Sequence, residues 1–389
     1  MELKYELRKT FLRRYVIALI VTLLLINAGI IIYGYYHGSG WLSDGITRPS
    51  VSSEEWKYYS ALMDKTKGRM TAGKASYIMR LYSNSEHSGY KYAILSTCFY
   101  KPYKYMASYA GKNQKIVDRA SEDRYIKSHY VGRQLDTFFD TIGWKKLFSY
   151  DYSDIFIIAM LLLTIIPCIK IEEKSGMRDI LLSSSGRFRS YFLEKNLMAV
   201  CVSVILVATF SIENFLVYSL TYGLKYMRCP VYSIEDYKYC PLDVSLIGFY
   251  LITVALRILG FISFSQILVF LCRRIKNVYS LLISALAMVV IFIYMRGFWN
   301  CIDQRYNAFV VASPFSGLVA VDIFKALKGI YVGEYYIPLT SMYLIVQIVI
   351  MVSMGLCDSI PGLLAYFGER KCSQKNRRSF LKSSMEWFG

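Results

Sequence analysis

The run YVIALIVTLLLINAGIIIYGYY, residues 15–36, is apolar along almost its whole length. A helix needs about 20 consecutive apolar residues to cross the hydrocarbon core of a membrane. The run reaches that length, is too long for the apolar part of a signal peptide and lacks a small-residue cleavage site. We therefore expect a first transmembrane helix that stays attached to the mature protein.

Five further runs of similar length and character follow along the chain. The whole sequence is 55% hydrophobic and 19% charged, which agrees with several spans separated by polar segments. The sequence therefore predicts an all-α polytopic membrane protein with six transmembrane helices. The five further helices are expected at 154–171, 197–222, 245–272, 277–297 and 337–357.

The net charge of +18 is explained by where the Lys and Arg residues fall. Basic residues near the ends of spans tend to stay on the cytoplasmic side of a membrane. Here they cluster in four segments that alternate with the spans, so all four lie on one side. We therefore expect both termini in the cytoplasm, a multi-pass location in the bacterial cytoplasmic membrane, and no nucleic-acid partner. The four segments are 1–14, 172–196, the turn within CRRIK at 272–276, and the basic tail 358–389.

The N-terminal segment 1–14, MELKYELRKTFLRR, spaces Leu3, Leu7 and Phe11 as one face of a helix, with basic residues between them. This pattern is typical of an amphipathic helix that lies on the inner membrane surface. The alternative is a basic segment that only orients the first span.

The first exterior segment, 37–153, is too long for a simple loop. It is expected to hold a mainly helical extracellular domain. A helix should begin near residue 53, where Ser52 or Ser53 and then Glu55 form a capping pattern. The many Tyr side chains of this segment fit either a helical core or a surface that rests on the outer leaflet.

The remaining exterior parts are shorter. Trp144 and Tyr152, close to the second span, fit an aromatic belt at the membrane interface. Segment 223–244 is expected to be a loop. Segment 298–336 contains ASPFSGLVAVDIFKALKG, which is partly apolar but too short and broken to span, so it predicts a re-entrant or interfacial helical pair.

Nine cysteines are present, and two of them bracket a short exterior loop in RCPVYSIEDYKYCP. Cys229 and Cys240 are each followed by Pro, which stiffens both ends of the loop. In an oxidising exterior this arrangement predicts a disulfide that closes the loop. The alternative is two free thiols.

Motifs for catalysis or nucleotide binding are absent from the sequence. The pairs Gly73–Lys74 and Gly111–Lys112 lack the upstream Gly and the Ser or Thr of a phosphate-binding loop. The three His residues are scattered and show no metal-ligand spacing. We therefore expect a chain that is not an enzyme and binds no metal or cofactor of its own.

Glu213 lies well inside the third predicted span and Arg257 well inside the fourth. Counted from the inner ends of their helices, their depths agree within one helical turn. An unpaired charge in lipid costs roughly 2.5 kcal/mol or more. The sequence thus predicts an intramembrane pair between them, with a place in a substrate or ion path as the alternative.

The stretch EEKSGMRDILLSSSGRFRSYFLEK, residues 172–195, is a charged, Ser-rich segment between two spans on the cytoplasmic side. It holds two short helical patterns that are split by Ser183–Gly186. This arrangement fits a short docking element that binds a soluble partner and transmits force from it to the flanking spans. The alternative is a basic loop that only orients the protein.

This segment resembles the docking motif of permease subunits of ABC-2 type exporters. The family has an acidic residue, a Gly, a Leu-Leu-Ser run, a basic cluster and a final Lys between spans two and three. Where the family carries a Pro after this run, the present chain has Ser185. The matching residues are Glu173, Gly176, Leu181, Leu182, Ser183, Arg187, Arg189 and Lys195.

The resemblance extends to the order of elements in the membrane part, but not to residues 37–150. It implies that 172–196 is a coupling segment for a separate cytoplasmic ATPase dimer, which would bind ATP and Mg²⁺. It also implies a second permease subunit, identical or related, and a membrane-lipid environment. The cargo would be an amphipathic or hydrophobic molecule such as a peptide, an antibiotic or a lipid. The alternative function is a membrane sensor or immunity protein whose extracellular domain binds a ligand.

Overall fold

The structure, a computed structural model, covers most of the helical membrane part of the chain. It describes residues 14–37, 54–69, 72–84, 137–138, 141–175, 188–234, 237, 240, 242–297, 329–332, 335–338 and 340–353, together with Lys91, Leu95 and Phe324. The predicted amphipathic segment 1–14, apart from its last residue, and the tail 358–389 lie outside these described residues.

The described residues are mainly helical, with short paired strands in two places. In chain order the elements are α1 (Arg14–His37), α2 (Glu54–Thr66), β1 (Gly68–Arg69), α3 (Ala72–Ser83), β2 (Thr137–Phe138), α4 (Ile142–Phe148), α5 (Tyr152–Lys174), α6 (Phe188–Thr221), α7 (Leu246–Arg274), α8 (Val278–Gly297), β3 (Gly329–Val332), β4 (Tyr335–Pro338) and α9 (Thr340–Ser353).

Four stretches of helix in the described part are long and apolar enough to cross a membrane. They are Arg14–Tyr36, Ile142–Lys174, Leu193–Thr221 and Leu246–Arg274. The apolar parts of α8 and α9 are shorter, Val278–Ile291 and Thr340–Ser353. The helical, multi-pass membrane character predicted from the sequence is therefore found in the structure.

Two helix boundaries differ from those predicted. α6 begins at Phe188, nine residues before the expected start of the third span, so the end of segment 172–196 is continuous with that span. α9 begins only at Thr340, because Tyr335–Pro338 pairs with Gly329–Val332 as an antiparallel hairpin. Within segment 298–336, residues 329–332 and 335–336 are therefore strands, whereas most of the stretch ASPFSGLVAVDIFKALKG, for which a helical pair was predicted, lies outside the described part.

The long helices form an antiparallel bundle with α6 at its centre, in contact with α1, α4, α5 and α7. The end of α5 meets the start of α6, since Lys195 Nζ lies 2.7 Å from Glu172 Oε1. The end of α7 joins them through Arg273 Nη2, which donates to Asn196 Oδ1 at 3.3 Å. We call this end of the bundle, marked by Glu172, Lys195 and Arg273, the basic end.

The surface of the bundle is more apolar than that of a water-soluble protein. Large apolar side chains cover its outside, whereas Asn, Asp, Ser and Lys side chains lie within it. This is the arrangement that lipid favours, because polar groups can be satisfied only by other protein groups. Exposed apolar residues occur on α1, α5, α6, α8 and α9, among them Leu25, Leu163, Ile212, Leu216, Leu220, Ile283 and Val349.

The interior has two hydrophobic clusters. The first, which we call the apolar layer, fills the middle of the bundle and includes Ile165, Val202, Leu206, Phe264 and Leu268. The second lies at the end opposite to the basic end and is rich in aromatic rings. We call it the aromatic cap, and it includes Trp144, Phe148, Tyr218, Tyr237 and Phe249.

The aromatic cap is held together by edge contacts between rings. The Phe148 ring centroid lies 5.1 Å from that of Phe249 and 5.7 Å from that of Tyr237. Trp144 was expected at the membrane interface but is 0% exposed, and its Nε1 donates to the Lys225 carbonyl at 2.7 Å. It packs inside the protein because α4 folds onto the end of α6.

The described part of segment 37–153 contains helices, as expected. α2 begins at Glu54, next to the predicted start, and α3 covers the second helical pattern. Tyr59 and Leu62 of α2 and Ile78 of α3 are buried. The short ladder of β1 and β2 joins Gly68 to Phe138, so the segment closes on itself.

A close backbone approach attaches α4 to the end of α6. A Cβ atom placed on Gly143 would lie 2.8 Å from the Gly223 carbonyl oxygen and 3.3 Å from the Leu224 side chain. Gly223 itself has a φ of 73°, in the left-handed region that favours glycine. The contact that buries Trp144 therefore requires glycine at both positions.

Replacing Gly143 by Ala should separate α4 from the end of α6. We expect a loss of roughly 1–3 kcal/mol, the usual cost of forcing extra atoms into a packed site. The measurement is the thermal unfolding midpoint of the full chain in a nonionic detergent. Gly29→Ala is the matched control, since a Cβ there meets nothing within 4 Å. Equal midpoints for the two variants would contradict the close approach.

Candidate functional site

A chain of hydrogen-bonded polar side chains crosses the bundle just beneath the aromatic cap. Its members come from α1, α5, α6, α7 and the turn before α5. The polar side chains of each helix form hydrogen bonds with side chains of neighbouring elements. We call this set the polar network, and it consists of Asn27, Tyr150, Ser153, Asp154, Glu213, Asn214 and Arg257.

Asn27 is the centre of the network and is 0% exposed. Its Oδ1 accepts a hydrogen bond of 2.7 Å from the Tyr150 hydroxyl. Its Nδ2 donates to Glu213 Oε2 at 3.0 Å and to Asn214 Oδ1 at 2.8 Å. One side chain of α1 thus joins the turn before α5 to two neighbouring residues of α6.

The second half of the network joins α6 to α5 and α7. Asn214 Nδ2 donates to Ser153 Oγ at 3.1 Å. The Arg257 guanidinium donates to the same Ser153 Oγ at 3.0 Å and forms an ion pair with Asp154. Asp154 and Ser153 are both buried, so the positive charge of Arg257 is neutralised inside the bundle.

The predicted pair between Glu213 and Arg257 is corrected by this geometry. Arg257 is bound to Asp154, and Glu213 faces Asn27 on the other side of α6. Counting residues along the helices predicts similar depths for Arg257 and Glu213. Asp154 was predicted to be the first residue of the second span and therefore not a partner for Arg257. The aromatic cap extends the protein beyond Asp154 and makes it a buried partner at the level of Arg257.

The polar network occupies the same level in every helix that contributes to it. On α6, Phe210 belongs to the apolar layer, Asn214 to the network and Tyr218 to the aromatic cap. Sixteen residues separate Asp154 from Lys170, which corresponds to about 24 Å of helix. The network and the basic end are therefore two polar levels with the apolar layer between them.

The partner of Arg257 can be identified by double-mutant cycles. Asp154→Asn or Arg257→Met alone should each destabilise the fold by about 3–5 kcal/mol, because each leaves one buried charge unpaired. The double variant should lose much less than the sum. The measurement is the free energy of unfolding of the full chain in detergent. The cycle of Arg257→Met with Glu213→Gln is the comparison and should show weaker coupling, because the two side chains belong to one network but do not contact each other. Stronger coupling to Glu213 than to Asp154 would contradict the structure.

A second set of polar contacts holds the basic end together. Glu172 and Lys195 are each 2% exposed and form an ion pair of 2.7 Å between α5 and α6. Lys170 Nζ lies 2.5 Å from Glu173 Oε2. Gln266 Nε2 of α7 donates to the Asn196 carbonyl at 3.1 Å. The two helices that flank the predicted coupling segment are thereby fixed to each other and to α7.

The structure describes only part of the predicted coupling set. Glu173 lies at the end of α5, and its carboxylate pairs with Lys170. Arg189 lies in the first turn of α6. The remaining members Gly176, Leu181, Leu182, Ser183 and Arg187 lie outside the described residues.

The role of Lys195 is corrected. It was expected to contact an ATPase, but its side chain is enclosed by protein and bound to Glu172. A side chain that is 2% exposed offers no surface to a docking partner. Its final position in the motif instead places the charge where it can fix the start of α6 to the end of α5.

Replacing Lys195 by Met should leave the Glu172 carboxylate buried without its partner. We expect a loss of about 3–5 kcal/mol in the free energy of unfolding, and partial recovery in the Glu172→Gln, Lys195→Met double variant. Lys174→Met is the matched control, since that side chain is exposed on the same helix as Glu172. A Lys195→Met chain as stable as the Lys174→Met chain would contradict a structural role.

The predicted cysteine pair lies in the loop beside the aromatic cap. The loop is folded by backbone hydrogen bonds, such as that from Val231 N–H to the Val244 carbonyl at 2.9 Å. Cys229 carries a free thiol in the structure, and burial raises the pKa of that thiol. Cys240 is buried. A disulfide between the two in an oxidising exterior stays a prediction.

The structure adds residues to the site that the sequence did not single out. Asn27, Ser153 and Asn214 are polar residues in or beside apolar runs, and that position was the available signal. The site in the spans was predicted from charged side chains alone, and uncharged amides and hydroxyls did not enter that prediction. Among the described residues, no group of three or more His, Cys, Asp or Glu side chains could hold a metal ion.

No protein-family model matches this chain, and no curated protein or solved structure matches it.

Proposed function

We propose that this chain is the permease subunit of an ATP-driven exporter of the ABC-2 type. Six helices would span the bacterial cytoplasmic membrane, with both termini inside. The chain itself would not be an enzyme; a separate ATPase dimer with ATP and Mg²⁺ would dock on segment 172–196. A second permease subunit, identical or related, would complete the path for an amphipathic or hydrophobic cargo such as a peptide, an antibiotic or a lipid.

The observation that carries the proposal is the buried ion pair between Glu172 and Lys195. It lies at the two ends of the segment that resembles a coupling helix. A loop fixed in this way cannot move independently of its helices, because separating the pair would expose two charges to the interior. Force applied to the segment would therefore move α5 and α6 together.

The length of α6 supports the same proposal. This helix runs without interruption for 34 residues, from Phe188 within the coupling segment to Thr221 at the aromatic cap. A displacement at Phe188 would tilt Glu213 and Asn214, since a helix transmits motion along its axis. Through the hydrogen bonds of the polar network, that tilt would also displace α1, α5 and α7.

The apolar layer favours a cargo path outside a single bundle. Val202, Leu206 and Phe264 are closely packed between the two polar levels. Among the described residues, that layer offers a polar cargo group no charged partner. A path between two permease subunits avoids this barrier, which is why the proposal includes a second subunit.

The proposal is tested by retention of an ATPase during purification. The full chain carries a tag and is purified in mild detergent from the cells in which it naturally occurs, and any P-loop ATPase that remains bound is identified and quantified by mass spectrometry. The chain with Arg187→Glu and Arg189→Glu should retain about tenfold less ATPase, because the charge of the docking surface is reversed. Arg228→Glu is the matched control, as Arg228 is exposed at the opposite end of the bundle.

Two results would contradict the proposal. One is equal ATPase retention by the double variant and the wild type. The other is labelling of Ser183→Cys by a membrane-impermeant maleimide on intact cells, with the labelled peptide located by mass spectrometry. A sensor or immunity protein that binds ligand through residues 37–153 is the alternative, and it would retain no ATPase in any variant.

A further inference from the structure

The carboxyl of Glu213 differs from three other carboxyls in the described helices of the bundle. Asp154 is paired with Arg257, Glu172 with Lys195 and Glu173 with Lys170. Among the described residues, no Lys or Arg forms an ion pair with Glu213. Its side-chain partner there is the Asn27 amide, which carries no charge.

The surroundings of Glu213 are open on one side. Glu213 is half-buried, and three neighbours on the same helix, Ile212, Leu216 and Leu220, are exposed at the surface of the bundle. Residues 213, 216 and 220 follow one another at helical spacing, so they lie along one face of α6. The carboxyl therefore lies at the border between the polar network and an apolar external face.

The network fixes this carboxyl in place. The Tyr150 hydroxyl donates to Asn27, and Asn27 donates to both Glu213 and Asn214, so the amide cannot rotate without breaking two other bonds. A carboxyl held in one orientation at an apolar surface is suited to receive a positive group. An unpaired carboxylate in lipid is costly, and a cation supplied from outside the chain removes that cost.

We propose that Glu213 binds the ammonium group of an amphipathic cation, whose apolar part lies along the α6 face formed by Leu216 and Leu220. Charge complementarity selects a cationic head over an anionic or neutral one, and the apolar face selects a hydrocarbon tail. This inference deepens the proposed function, on which it rests for the statement that the cation is cargo. The binding itself can be tested without an ATPase.

The position of Glu213 connects this site to the coupling segment. Glu213 lies on the same uninterrupted helix as Phe188, and the network joins it to α1, α5 and α7. Loss of the cation would leave a charged carboxyl at the lipid surface. A tilt of α6 that changes the exposure of Glu213 would thus change the affinity for the cation.

The test uses the purified full chain in a neutral maltoside detergent at one mildly alkaline pH. Equilibrium binding of tritiated decylammonium is measured by scintillation proximity. The wild type should bind it saturably, and Glu213→Gln should bind it roughly thirtyfold more weakly, as expected for loss of one partner of a desolvated charge pair. Asp243→Asn is the matched control, because it removes an exposed carboxyl outside the spans.

A competition experiment on the wild type keeps the test valid if Glu213→Gln does not fold. Unlabelled decyltrimethylammonium should displace the probe, whereas decanol and decanoate should not. Equal displacement by decanol would overturn the inference, because it would show that the apolar tail alone drives binding. Unchanged probe affinity in a folded Glu213→Gln chain would also overturn it.

The remaining outcomes separate this inference from the proposed function. If Glu213→Gln binds the probe as the wild type does but loses a subunit, the carboxyl joins two copies of the chain and the inference is wrong. If the wild type binds no decylammonium but retains the ATPase, the exporter proposal stands and this inference falls. If it binds the probe but retains no ATPase, the site stands and the cargo assignment falls.

Discussion

Hydrocarbon offers no hydrogen bond to a polar side chain, and this constraint accounts for the arrangement of the bundle. Asn27, Ser153 and Asn214 are buried among apolar helices, and each finds its partners on a different helix. The requirement to satisfy these groups fixes which helices are neighbours and at what height. Van der Waals packing in the apolar layer is less directional than these hydrogen bonds, although Ser203 Oγ of α6 also donates to the Phe261 carbonyl of α7 there at 3.4 Å.

The two polar levels of the bundle make different contacts. At the basic end, the pair of Glu172 and Lys195 joins two helices, and beneath the aromatic cap the polar network joins four. The apolar layer between them carries no charge. This separation suits the proposed permease, in which a partner would act at one level and a ligand would be held at the other, with α6 as the shared element.

The four long apolar helices could be predicted from the sequence because hydropathy is a local property of about 20 residues. The starts of α5 and α7 fall within two residues of expectation for the same reason, and the start of α2 was predicted from its capping pattern. The partner of Arg257 could not be predicted, since it depends on which face of α7 meets α5 and on a cap that encloses Asp154. The role of Lys195 could not be predicted for the same reason. The motif indicated that this Lys is important, but its burial against Glu172 depends on how α5 and α6 pack.

The ladder between β1 and β2 has a consequence for how this protein can vary. Because Gly68 and Phe138 are neighbours, the polypeptide between them departs from and returns to the same place. A change in the length of that polypeptide would therefore leave the distance between its two ends unaltered. Variants that lengthen, shorten or exchange it could keep the same arrangement of the long helices.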